Sequence, residues 1–152
     1  MASESFEYRY FVNAPVRDLY QHLSEPGNYV GLSPLVVEVR DIEQGTDASG
    51  SLFFRYRSVE RFSFLGFIRY DNLLRVTTTL TRPLQQMVSD VDSPFSVRVR
   101  FTFDFEPGDG GTWVQETVSV KMPAPLKRFV VSEAKRVQQE RARILKQRME
   151  TF

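Results

Sequence analysis

Residues 95–122 read FSVRVRFTFDFEPGDGGTWVQETVSVKM, and their pattern decides the fold. Phe95, Val97, Val99, Phe101, Phe103 and Phe105 fall on one side of an extended chain, with Ser96, Arg98, Arg100, Thr102 and Asp104 on the other. A period of two sustained over 95–105 is a strand with one buried face. Pro107, Gly108, Asp109, Gly110 and Gly111 make a hairpin loop, and 112–122 returns as a strand carrying Val114, Glu116, Val118, Val120 and Met122 on one face. Pro123 and Pro125 then change the period. Leu126, Phe129, Val130, Ala134, Val137, Ile144 and Leu145 mark a long helix running to about residue 149. A sheet with one apolar face needs a cover, and this helix is the only element of the reading long enough to provide it.

The period of two recurs upstream. Strands are expected over 5–12, where Phe6, Tyr8, Tyr10 and Val12 share a side, and over 36–43, 51–62, 67–80 and 85–92. Turns fall at 45–50, 65–66, 83 and 93–94. Within 51–62, Leu52, Phe54, Tyr56 and Ser58 oppose Arg55, Arg57 and Arg61. After the first strand, Asn13-Ala14-Pro15 opens a helix over 16–24 on Val16, Leu19, Tyr20 and Leu23. Glu25-Pro26-Gly27 ends it, and a short helical piece follows over 28–32. The expected fold class is α+β, a curved seven-stranded antiparallel sheet gripping a long carboxy-terminal helix, as a single domain over 1–152.

Composition narrows the chemistry. The 152 residues include no cysteine and one histidine, which excludes disulfides and thiolate sites and argues against a metal cluster. No metal and no cofactor is expected. A net charge of +1 recruits no nucleic acid. The first residues lack the pattern of a signal peptide and no apolar run approaches membrane length, so a cytoplasmic location is expected. Aromatic residues reach 13%, and many alternate along strands. Either a large packed core or an aromatic-lined cavity accounts for them.

The opening, Phe11-Val-Asn-Ala-Pro-Val16 through Leu23-Ser-Glu-Pro-Gly-Asn-Tyr29 and then Leu35-Val-Val-Glu-Val39, resembles the SRPBCC superfamily. That group takes in START domains, birch-pollen-allergen-like proteins, and the polyketide cyclase/dehydrase and coenzyme-Q-binding families. Gly111-Thr112 at the start of the last strand and the long terminal helix also fit. The resemblance implies the helix-grip fold and a hydrophobic pocket between sheet and helix, which in such proteins takes lipids, sterols, polyketides, quinones or plant hormones. It implies no particular reaction.

Alternation nominates the ligand-binding residues: Phe54, Tyr56, Ser58, Val97, Val99, Phe101, Phe103, Val118 and Val120 from the sheet, with Phe129, Val130, Ala134 and Val137 from the helix. The short second helix and the 65–67 turn are expected at the entrance. Each apolar residue has ordinary core packing as its alternative. Glu116 is in phase with valines, Glu60 with Phe54, Tyr56 and Phe62, and Tyr70 and Asn72 with Ile68 and Leu74. Glu116 and Tyr56 are expected to orient a ligand. A carboxyl in apolar surroundings has a raised pKa unless it is paired. Glu116, Glu60, Tyr56 and Tyr70 are therefore the acid–base candidates of a cyclase or dehydratase, and pairing of the Glu residues with arginines is the alternative.

Residues 123–152 hold eight basic and three acidic side chains, including Arg136, Arg141 and Arg143. Such a helix suggests transient contact with a membrane surface or a protein partner, set against a merely solvated face. Three readings follow: a binder of a small hydrophobic ligand, a polyketide aromatase/cyclase or dehydratase, and a partner-binding module with a closed core. A monomer or a homodimer is expected.

Overall fold

A computed structural model describes residues 1–64 and 68–150. Seven strands form one antiparallel sheet: β1 (Ala2–Val12), β2 (Val36–Thr46), β3 (Leu52–Phe64), β4 (Ile68–Arg82), β5 (Gln86–Ser93), β6 (Val97–Gly108) and β7 (Gly111–Met122). Their spatial order is β1-β7-β6-β5-β4-β3-β2. The chain therefore leaves one edge after β1, crosses to the other through α1 (Val16–Ser24) and a 3-10 turn (Pro26–Tyr29), and returns by hairpins. β1 pairs with β7 along its whole length, from Ala2 opposite Met122 to Val12 opposite Thr112. A second 3-10 turn (Ala124–Leu126) leads into α2 (Lys127–Glu150).

The expected fold class is the observed one, a sheet wrapped on a carboxy-terminal helix. Bends come from local irregularities. The β2–β3 register shifts between Arg40 and Glu43, where Asp41 takes φ 56. One extra residue in a strand raises its local twist, and aspartate tolerates the left-handed region better than most side chains. At the β6–β7 turn Gly110 has φ +78, and a Cβ on Gly111 would sit 2.2 Å from the Val12 carbonyl oxygen. β7 can meet the end of β1 there only without a side chain.

Two departures from the sequence reading have a physical cause. The short helical piece lies at Pro26–Tyr29 rather than 28–32, because proline is suited to the first turn of a helix. β6 starts at Val97, not Phe95: reversing direction after β5 takes three residues, and Phe95 and Ser96 adopt φ 67 and 60. Phe95 thus leaves the ladder and stands 66% exposed. The turn expected at 65–66 lies outside the described residues.

The interior is packed at one end. Leu19, Tyr20 and Leu23 of α1 join Tyr10, Val12, Met87, Phe103, Phe105, Val114, and Ala142 and Leu145 of α2 in one apolar cluster. Near its beginning α2 packs instead toward β1 and β7, with Val130, Val131 and Ala134 against Val118, Val120 and Met122. Across the sheet Tyr56, Leu74 and Val76 form a separate cluster that includes no residue of α2. The first half of the helix and the β3–β5 half of the sheet are thus left apart.

Candidate functional site

Between those two halves lies a cavity of about 440 Å³, within the range of small-molecule sites. Alternation puts one face of each strand against it: Tyr56, Ser58, Glu60 and Phe62 from β3, Tyr70, Asn72, Leu74 and Val76 from β4, Ser89 and Val91 from β5, and Val97, Val99, Phe101 and Phe103 from β6. From α2, Phe129, Val130, Glu133, Ala134, Val137 and Arg141 complete the wall. Tyr29, Ser33 and Leu35 line it from the segment after α1. Phe95 and Phe129, 66% and 55% exposed, place its rim where the β5–β6 turn approaches the start of α2.

Most of the nominated residues thus share one wall. Phe54, Val118, Val120 and Glu116 do not line it. Phe54 packs beside Tyr56 in the apolar cluster of β3 and β4, and Val118 and Val120 lie under α2 where helix and sheet touch. Glu116 does point inward, but it is fully buried beneath Arg141. Arg141 Nη2 donates to Glu116 Oε1 at 2.6 Å and its Nε at 3.2 Å, while Tyr10 donates to Oε2 at 2.7 Å. The guanidinium also lies 4.7 Å from the ring centre of Phe101. Gln138 donates to the Glu116 carbonyl at 3.1 Å. This pair stands where the packed end meets the cavity, so Glu116 holds α2 to β7 and offers no free carboxylate to a ligand.

Arg141 is the residue the sequence reading misplaced. Composition groups it with the basic surface of the helix, but it is 3% exposed. The signal was present in the spacing: 130, 134, 137, 141 and 145 are one helical stripe, and position 141 is its charged member. Three of the other basic side chains of this helix meet carboxylates. Arg136 pairs with Glu133, Arg143 with Glu140, and Lys127 with Glu4. Asp90 and Asp92 meet Arg100 and Arg98 on the sheet's other face. His22 is half-buried, its ring 3.1 Å from Arg148 Nη1. Burial, with Arg148 adding to it, lowers the His22 pKa.

Glu60 has the opposite environment to Glu116. Burial pushes its carboxyl up to about 7, Arg141 opposes this, and Glu133 adds to it. Among the described residues no hydrogen-bond donor meets it. Opposite Glu60 on β4 stands Asn72, whose Oδ1 is buried without a partner. Burial raises the Tyr56 hydroxyl to about 12, so it remains protonated at neutral pH. Tyr70 is half-exposed on the same wall. A mainly apolar cavity with one unpaired acidic corner can hold an apolar body, orient a polar group, and exchange a proton near neutrality.

The amino-acid sequence matches no protein-family model and no curated protein. Solved structures share the fold. The Zhui aromatase/cyclase from Streptomyces superposes with a TM-score of 0.74 at 14% identity, covering 98% of this chain and 94% of that one. A START superfamily protein from Mycobacterium smegmatis gives 0.72 at 15% identity, covering 96% and 97%. The di-domain ARO/CYC BexL gives 0.69 at 13% identity over 99% of this chain, which spans about half (51%) of that longer protein. The fold is therefore the helix-grip fold of START-type proteins and aromatase/cyclases. Among the described residues, no helix is long and apolar enough to cross a membrane.

Proposed function

We propose that this chain binds a small hydrophobic molecule, of lipid, polyketide or quinone character, in the cavity between the sheet and α2. The supporting observation is that α2 meets the apolar core near its end and leaves about 440 Å³ open beneath its first half. A ligand burying about 300 Å² of apolar surface there gains roughly 7 kcal/mol before the costs of association. Val97, Val99, Phe101, Val130 and Val137 supply the apolar contacts. The exposed Phe95 and Phe129 mark where a ligand enters. The fold shared with START-type proteins and aromatase/cyclases is consistent with this use.

The test is a titration with N-phenyl-1-naphthylamine, a neutral dye that brightens in apolar surroundings. One saturable site is expected in the wild type, and its loss in Ala134→Trp, whose indole fills the cavity beside α2 and whose folding is checked by circular dichroism. Undiminished dye binding by Ala134→Trp places the site elsewhere and refutes the proposal.

Glu60 favours a second reading, catalysis. A carboxyl with a pKa of about 7 suits a general acid or base at neutral pH, as the cyclisation or dehydration of a polyketide-like substrate requires. Under this reading Glu60→Gln loses turnover and keeps binding. Equal turnover in the variant removes Glu60 from any mechanism.

A further inference from the structure

The cavity is not uniformly apolar, and one of its polar atoms is left without a partner. Glu60 and Asn72 are register partners on β3 and β4 and both line the cavity. Their neighbours Arg61 and Asp71 are also register partners, bound to each other at 2.9 Å on the opposite face. The outer polar pair is satisfied and the inner one is not: Asn72 Oδ1 is buried and accepts no hydrogen bond. Such an orphaned acceptor costs about 1–3 kcal/mol. Glu133 of α2 lines the same cavity, and it and Arg141 are the charged groups felt by Glu60. Arg141 is already committed to Glu116. What remains is a corner where Asn72 Oδ1 stands beside the Glu60 carboxyl with no donor meeting it.

We propose that Glu60 and Asn72 form a subsite for a hydroxyl or phenol group of the ligand, whose O–H donates to Asn72 Oδ1 or to the Glu60 carboxyl. This rests on the cavity being a ligand site and specifies which apolar molecules it prefers. A neutral ligand ending in a hydroxyl satisfies the orphaned acceptor. The ether of the same molecule leaves it unpaired. A carboxylate meets the Glu60 carboxyl, and with Arg141 and Glu133 already paired it finds no free cation there among the described residues. The selected class is thus a phenol or alcohol on a fused-ring or other bulky apolar body, and not a fatty-acid anion.

The experiment compares 1-naphthol with 1-methoxynaphthalene, titrated calorimetrically into the full chain at neutral pH. The ether is the more apolar of the two, so hydrophobic burial alone makes it the tighter ligand. The subsite reverses that order, with 1-naphthol tighter by about tenfold, the value of one net hydrogen bond. In Asn72→Leu and in Glu60→Leu the ratio falls toward one. A wild type that binds the ether as tightly as the phenol overturns the subsite and leaves the cavity reading standing. Binding of neither compound overturns both. A tenfold preference that survives in both variants also overturns the assignment to these residues. Where a leucine variant folds poorly, Asn72→Ala and Glu60→Ala carry the same comparison.

Discussion

Glu60→Gln tests the electrostatics of the cavity through stability alone. In the folded chain burial raises the Glu60 carboxyl from 4.5 to about 7. The unfolded chain therefore gives up this proton first as pH rises. Between those two values the folded state binds more protons, so Glu60 makes stability fall with rising pH, and the loss is complete above about 7. At 1.36 kcal/mol per pH unit, the ionised group costs the fold about 3 kcal/mol at pH 8 and almost nothing at pH 4. Water entering the cavity makes this an upper bound. Glutamine keeps the shape and never ionises. Urea denaturation of both proteins at several pH values should show Glu60→Gln more stable by about 2–3 kcal/mol at pH 8, with the gap closing by pH 4. His22 is common to both proteins, so the difference between them isolates Glu60. A gap that is constant with pH, or absent at pH 8, refutes the claim that this carboxyl is half-buried and unpaired.

Other substitutions probe the frame around the cavity. Arg141→Met strands the fully buried Glu116 and should cost about 3–5 kcal/mol, seen as a Tm lower by roughly 10 °C; the triple change Tyr10→Phe, Glu116→Leu and Arg141→Met removes the whole polar group and should recover most of that loss. If Arg141→Met instead melts with the wild type, the pair does not hold α2. Gly111→Ala drives a methyl into the Val12 carbonyl and should lower stability by about 1–3 kcal/mol, whereas a neutral result would deny that close approach. Ser96→Gly relieves a positive φ in the β5–β6 turn and should stabilise the protein by about 1 kcal/mol in the same denaturation assay; a loss of stability would mean that the turn is not strained as described.

The architecture was legible because strand and helix periods are local. The alternation over Val97–Gly108 and the proline-marked switch into α2 read the same way in the sequence and in the molecule. Phe95 shows where the rule ends. It keeps the phase of Val97 and Val99, yet sequence alternation cannot say how many residues a hairpin needs in order to turn. The lining residues Tyr56, Ser58, Glu60 and Phe62 follow from the same parity. What parity does not carry is partnership across the fold. Glu116 and Glu60 are equally in phase with apolar neighbours, but Glu116 meets an arginine 25 residues away on α2 and Glu60 meets none at bonding distance. Only the docking angle of the helix separates them. The same angle decides that Val118 and Val120 are covered while Val97 and Val99 face open space.

The central claim is that an apolar molecule occupies the volume under the first half of α2. Intermolecular NOEs from a bound naphthalene probe to selectively methyl-labelled protein locate that molecule atom by atom. Contacts to the methyls of Val97, Val99, Val130 and Val137, with none to Val12, Val114 or Leu19 in the packed end, are the predicted result. Contacts confined to surface methyls such as Val37 and Ile42, or no contacts at saturating probe, would contradict it.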